Sequence, residues 1–518
     1  MSKRNELPVL LASLAITGAL LGSGAWWIGR TVTGGGEPIS RNVTADGTTR
    51  LTLLGDTFSG YSTFRNDDFQ ATLDDVAIEI EYADEFDQTV RAQQLGEGKA
   101  DLIVTTLDQF VKQQPEGKIV GLLDRTVGAD AVVLNTKKFP GLDSLLKLGE
   151  LVSQEKAQGR SLSIAYAADT PSEYLALVLD TKFDAFNLSD FELIQVEEAS
   201  QAWELMQDPQ QNVAIAVLWE PYVTQARQQG YNVVLSSEDA PNAIVDVIVA
   251  SDNLINTNPD VISQLLESYY RRIDANARDA TQLQTQVAED GNLSVGDSAA
   301  IINGIDFFTA TETQTWFTDG TLERRIGATA AVLTLSNKLT AVPSNVSELY
   351  TNQFVTAAAD NTQTLIELVR ADNPDLADKL EGGNNTVTAA PTLSASDIQQ
   401  APDIGNLQVR GQVGFATGSA DLTAEGKETL NQLAKEIQEF NQQTIAVRVI
   451  GHTSRTGSAA LNQSLSQQRA GVVVNHLKGM GVALNILPEG KGFDEPLPNI
   501  DPTDSRNQRT EIRLVRVN

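Results

Sequence analysis

At 518 residues the chain is long enough for about three domains. It has no cysteine and only two histidines, His452 and His476. Disulfides, thiolate metal sites, a cysteine nucleophile and a lipid-modified cysteine are excluded, and a Ser-His-Asp or histidine-rich metal centre has almost no material, so neither metal nor cofactor is expected. The net charge of -30 is unevenly placed: residues 49–400 hold 22 basic and 53 acidic residues, whereas residues 401–518 hold 12 of each. A body this acidic repels phosphate backbones, which argues against a nucleic-acid partner.

In chain order, residues 8–28 (PVLLASLAITGALLGSGAWWI) form an uncharged run of 21, enough to cross a hydrocarbon core as a helix. Lys3 and Arg4 precede it and Trp26-Trp27 close it, which places the N-terminus in the cytoplasm and the body outside. The run is longer than the apolar part of a signal peptide and ends in a tryptophan pair instead of a small-residue cleavage site, so an uncleaved anchor over residues 1–30 is expected. Residues 31–48 and 383–405 are rich in Gly, Thr, Ser, Asn and Pro without apolar periodicity and read as linkers.

Residues 49–382 alternate short apolar strands with helical stretches. Arg50–Leu54, Val76–Tyr82, Ala100–Thr105, Ser161–Tyr166, Val213–Leu218 and Ala243–Ala250 read as strands, with helices over Glu85–Leu95 and Pro171–Phe183. Such alternation predicts parallel sheets with helices on both faces, and ligands beyond the carboxyl ends of strands. Those ends carry DTFSGYS at 56–62, Thr105-Thr106, DTPSE at 169–173 and WEPY at 219–222. Small hydroxyl residues and glycine at helix starts cap the helix, and they also expose backbone N-H groups that can hold an oxyanion.

On the GYS turn, ADLIVTTLDQF, TPSEYL, LWEPY and VDVIVAS followed by NPDVISQLL, in that order, residues 49 to about 350 resemble type 2 periplasmic substrate-binding proteins of the nitrate, sulfonate and taurine group. The resemblance implies two lobes closing on a small solute, the second inserted at about 136–244. It also implies a ligand-facing set of Ser59, Gly60, Tyr61, Thr105, Thr106, Ser172, Trp219 and Glu220. Asp56, Glu220 and Asp246 would oppose a bare phosphate or nitrate if they reached the pocket, and would suit an amine-bearing or zwitterionic solute.

Residues 406–518 read as a small α/β sandwich: strand Leu407–Phe415, helix Thr423–Phe440, strand Thr444–Gly451, helix Ser458–Gly479 and strand Arg509–Val517. Leu461, Leu465, Val472 and Leu477 mark an apolar stripe on the second helix, with Asn462, Ser466 and Arg469 in a polar row beside it. FATGSADLT at 415–423, GHTSRTG at 451–457, NQSLSQQRA at 462–470, GKG at 490–492 and NQRTEI at 507–512 resemble the peptidoglycan-binding domain of the OmpA-like family. That resemblance implies a peptidoglycan-binding set of Ser454, Asn462, Arg469 and Arg509, with Arg469 gripping a carboxylate of diaminopimelate. Position 454 departs from the family, whose aspartate there neutralises an ammonium. A serine cannot neutralise a cation, so ammonium recognition is weakened.

The fold class expected is therefore α/β: a two-lobed periplasmic-binding-protein-like domain, a small OmpA-like sandwich and one N-terminal transmembrane helix. The function expected is non-enzymatic capture of a small oxyanion or zwitterion, for an ABC permease or for sensing. The protein would sit in the inner membrane as a single-pass protein, its body in the periplasm and tied to peptidoglycan. The alternative is a ligand-free spacer between membrane and wall.

Overall fold

The computed structural model describes residues 47–291, 293–382, 390–416 and 418–517. The apolar run at 8–28 lies outside them, as do nearly all of the first linker and residues 383–389 of the second. Among the described residues no helix is long and apolar enough to cross a membrane.

Fifteen strands build three sheets among the described residues: β1 Thr49–Gly55, β2 Ile78–Asp84, β3 Leu102–Thr106, β4 Gly117–Thr126, β5 Asp130–Leu134, β6 Leu162–Ala167, β7 Phe191–Val196, β8 Val213–Trp219, β9 Asn232–Ser236, β10 Val245–Ser251, β11 Ile305–Phe307, β12 Asp403–Asn406, β13 Ile445–Gly451, β14 Asn485–Gly490 and β15 Thr510–Arg516. The helices that position the sites are α1 Leu107–Gln113, α2 Leu145–Ala157, α3 Pro171–Lys182, α4 Pro259–Arg278, α5 Thr321–Leu335, α6 Ala395–Gln400, α7 Ala424–Ile437 and α8 Ala459–Gly479.

The first sheet has the order β11-β4-β10-β3-β1-β2 and the second β7-β6-β8-β5-β9. The chain leaves the first sheet after β4, completes the second, and returns at β10, so the second lobe is an insertion. It begins at β5, from Asp130, earlier than the boundary of 136 expected. Neither sheet is all-parallel. β10 runs antiparallel to β3 and β4, and β5 runs antiparallel to β8 and β9, because these strands enter their sheets from the opposite end after a crossing. Alternation sets the two faces of the first sheet: Ile248 and Ala250 point into one apolar core with α4, while Val247 and Val249 point into the other.

The third sheet, β12-β15-β13-β14, carries α7 and α8. Its first strand precedes the expected Leu407–Phe415. Leu407 still donates to Ile512 O, but Gln408 turns away to donate to Lys182 O of the second lobe. Gly411, at φ +110°, breaks the run a few residues later. The stretch read as linker up to residue 405 thus includes α6 and β12, which pack on this sheet.

On α8 the structure buries Leu477 of the expected apolar stripe but leaves Leu461 out and buries the expected polar row. Asn462, Ser466 and Arg469 are buried with Ala470, Val473 and Leu477, while Leu461 is 65% exposed. The cause is close packing. A Cβ on Gly451 would stand 2.4 Å from Ser466 O, and one on Gly490 would stand 2.5 Å from Gln467 N, so only a small residue at 466 fits against the sheet. Gly451→Ala is expected to push α8 outward and lower stability by about 1 to 3 kcal/mol, read by urea denaturation.

Candidate functional site

The strand ends of the first lobe bring together part of the expected set. Gly60 and Tyr61 lie in a 3₁₀ turn, Ser59–Tyr61, that folds over the end of the sheet. Tyr61 donates its hydroxyl to Asp246 at the start of β10. Asp246 pairs across the ladders with Thr106 on β3 and Asp124 on β4. A Cβ on Gly60 would meet Asp124 Oδ2 at 2.4 Å, so the glycine admits this carboxylate beneath the turn. Ser59 is half-buried at the start of the turn, whereas the Thr105 hydroxyl faces the other side of the sheet and donates to Gln88 at 2.9 Å.

Asp124 and Asp246 are fully buried, and neither oxygen of Asp124 has a hydrogen-bond partner. Burial pushes both carboxyls well above the usual carboxylate range. Asp306 adds to the effect at Asp124, and Asp124 adds to it at Asp246. Among the described residues no cation pairs directly with either acid. Arg125, next in sequence, is held by Asp306 at 2.6 Å and Glu312 at 2.8 Å. Asp56 is neutralised by the buried Arg91 at 2.9 Å and so does not carry a free charge into the cleft.

Two further acids approach each other from the two lobes, one following β3 of the first sheet and one in β5 of the second. Asp108 at the start of α1 and Asp130 at the start of β5 are both buried. Burial raises them to about 6 and about 7 respectively, with Asp108 also raising Asp130 across the lobes. Trp219, half-buried, ends β8 directly opposite Asp130. Glu220 raises Asp130 too, but its carboxylate is engaged locally, accepting from Thr224 N at 3.1 Å and Thr224 Oγ1 at 2.9 Å.

Ser172 is fully buried at the start of α3, its hydroxyl without a partner. The next residue, Glu173, supplies the anion at this helix start: it accepts from Asp169 N at 3.1 Å and pairs with Lys338 at 2.5 Å and Lys112 at 3.6 Å. The helix start expected to hold an external oxyanion is thus capped by Thr170 Oγ1, which accepts from Ser172 N at 3.2 Å, and carries the chain's own carboxylate in its first turn. Sequence reasoning missed Asp108, Asp124, Asp130 and Glu173. Asp124 left a signal, as an acid inside the apolar strand VGLLDRT.

In the small domain Arg469 donates Nε to Ser419 O at 2.9 Å and lies 5.0 Å over the Phe415 ring. Among the described residues it forms no ion pair, and burial pulls its pKa below the usual guanidinium range. Asn462 holds the neighbouring loop, donating to Thr456 O at 2.8 Å and Ser458 O at 3.0 Å. Ser454 is buried in that loop, 3.3 Å from Thr456 Oγ1 and from the donating Gln508 Nε2. Arg509, by contrast, is already paired with Glu511 at 2.7 Å. Burial alone would raise Glu511, but His452, Arg509 and Arg513 bring it down to about 2. His452 is thereby a structural partner of β15.

Residues 414–510 match the model of the OmpA family. The chain is 35% identical over 105 residues to outer membrane protein A of Shimwellia blattae, covering 20% of this chain and 43% of that protein. It is 37% identical over 111 residues to the probable lipoprotein YiaD of Escherichia coli K12, covering 21% and 50%. The chain spans about half the length of the curated relatives it matches. Among solved structures it is similar to the periplasmic aliphatic sulphonate binding protein SsuA of Escherichia coli, with TM-score 0.46 and 13% identity over 59% of this chain and 92% of that one. It is also similar to the periplasmic nitrate-binding protein NrtA of Synechocystis PCC 6803, with TM-score 0.44 and 14% identity over 61% and 89%. The inserted lobe and the strand orders given above define a two-lobed α/β domain, and it is followed by a small domain whose residues 414–510 match the OmpA family model.

Proposed function

We propose that this is a cell-envelope solute-binding protein held to peptidoglycan by its C-terminal domain, and that its cleft takes an amine-bearing solute, cationic or zwitterionic. The observation that carries the reading is the buried pair Asp124 and Asp246 at the strand ends, with both Asp124 oxygens unpartnered. Asp108 and Asp130 add two more buried acids where the lobes meet. Of the oxyanion and the zwitterion first expected, this favours the solute that brings an ammonium. A bare anion would meet carboxylates, and a helix start that Thr170 caps and whose first turn carries Glu173. Lodging by a transmembrane anchor and delivery to an ABC permease remain part of the proposal, supported by the apolar run at 8–28 and by the two-domain layout. Catalysis is no part of it.

Calorimetric titration of the whole chain with diamines, amino acids, sulfonates, nitrate and phosphate tests the proposal. Heat is expected from the amines alone and lost in Asp246→Asn. Silence across the panel would favour the spacer reading instead. The acids must ionise to hold an ammonium. Affinity is therefore expected to rise as pH climbs through about 6 to 7, where Asp108 and Asp130 ionise, and to go on rising as the more strongly raised Asp124 and Asp246 lose their protons, with protons released on binding, measured by repeating the titration in buffers of different ionisation enthalpy.

A further inference from the structure

The small domain is fastened to the large one very unevenly. Toward the second lobe the contact is a continuous run of hydrogen bonds to backbone carbonyls. Gln408 donates to Lys182 O at 2.7 Å, Asp184 donates to Asn406 O at 3.1 Å, and Arg410 donates to Thr181 O at 3.0 Å, extending the end of α3 into the small domain. Gly405 sits so close to α2 that a Cβ would stand 3.0 Å from Phe183 and 3.2 Å from Leu145. Leu145, Phe183, Leu407, Ile437 and Val447 belong to one apolar core, which continues into the first lobe through Leu122, Val249 and Ile326.

The return crossing from β9 to β10 is gripped as well. Asp239, fully buried just after β9, accepts from Arg516 and from Thr444 Oγ1 at 2.9 Å, and its carbonyl accepts from Asn441 N at 2.8 Å.

Toward the first lobe the contact is sparse. Glu439, just beyond α7, reaches Arg325 on α5 at 3.7 Å and Lys182 of the second lobe at 3.6 Å. Beside it a cavity of about 800 Å³ separates Phe440 and Asn441 of the small domain from Asn276 and Leu283 of the first lobe. A two-lobed domain opens by rotation about its crossings, which here are the short segments between β4 and β5 and between β9 and β10. The tight side cannot move without breaking the backbone hydrogen bonds at Lys182, Asp184 and Thr181, whereas the cavity leaves room on the other.

We propose that the C-terminal domain and the second lobe move as one rigid body, so that the wall holds the second lobe and only the first lobe swings, with the Glu439–Arg325 pair as its latch. Hinge closure on a solute would then be a movement of the first lobe against a fixed wall contact, which is a geometry suited to reporting occupancy outward. The wall contact rests on the function proposed above. The rigid body does not, and it is tested without solute or peptidoglycan.

The cysteine-free chain accepts pairs of spin labels. Glu192→Cys with Gln432→Cys reports the second lobe against the small domain; Gln264→Cys with Gln432→Cys reports the first lobe against it. Electron-electron resonance on the whole chain should give one narrow distance for the first pair, unchanged by Arg325→Ala. The second pair should broaden in Arg325→Ala. Arg516→Gln, or Thr444→Val if that variant does not fold, should broaden the first pair by loosening the Asp239 grip. A first pair that is broad before mutation overturns the rigid body, and one unmoved by loosening Asp239 overturns that fastening. A second pair still narrow in Arg325→Ala overturns the latch. A failed amine titration leaves all of these results standing.

Discussion

Asp124→Asn is expected to raise the stability of the solute-free protein at neutral pH while abolishing amine capture. The wild-type carboxyl is buried with no hydrogen-bond partner and faces a second buried acid. Its folded pKa stands above the unfolded value, so the folded state binds the extra proton. The associated stability is complete below about pH 4 and is lost as pH rises toward the folded pKa. An amide of the same shape has no charge to bury, and its N-H₂ can donate to Asp246. The gain at pH 7 to 8 should be about 1 to 3 kcal/mol, the usual cost of an unpaired buried polar group, and should vanish near pH 4. Thermal melts of both proteins from pH 4 to 8 check this. A variant less stable than wild type at pH 8 would show that the pair has an internal counter-charge. Opposite signs for stability and binding are what separate a functional carboxylate from a structural one, because a site preorganised for a cation is strained without it.

Arg469→Ala is expected to weaken retention of the whole chain on purified peptidoglycan by about 10- to 100-fold, at little cost in melting temperature. A hydrogen bond to a charged partner contributes about 1.5 to 3 kcal/mol. The guanidinium is half enclosed by Phe415 and Ser419 and, among the described residues, has no carboxylate of its own. Its charge is thus available to an external carboxylate, and removing it leaves no buried anion behind. Arg469→Lys should recover only part of the binding, since a point charge cannot match the planar fork. Arg509→Ala, whose partner Glu511 would be left buried and unpaired, should instead lower stability. Retention unaffected by Arg469→Ala would remove this arginine from the wall contact.

Much of the small domain is legible from its residues. Apolar periods locate β13, β15 and both helices within one to three residues, because side-chain periodicity is a local property of each element. The same holds for β1, β3, β6 and β8 in the large domain. The faces of α8 were not legible. Leu461 looks like core and Arg469 like surface until Gly451 and Gly490 are seen pressing on Ser466, and those glycines come from strands on either side of the helix in sequence. Nor could a stretch such as TLSASDIQQAPDIG be told from a tether. It is short and polar, and it becomes α6 and β12 only because β15 offers it an edge.

Composition and motif alone determined that residues 49–400 are acidic, that the sequence offers no thiol and only two histidines, and that residues 407–518 carry motifs similar to those of the OmpA family. These depend on which residues are present and on spacings within single elements. Tertiary structure decided where the inserted lobe begins, that Glu220 and Glu173 serve their own helices, that Asp124 meets Asp246, and that the small domain docks on the second lobe. Strand order and burial bring together segments far apart in the chain. The charge state of an acid depends on which neighbours arrive with it, and no local pattern records that.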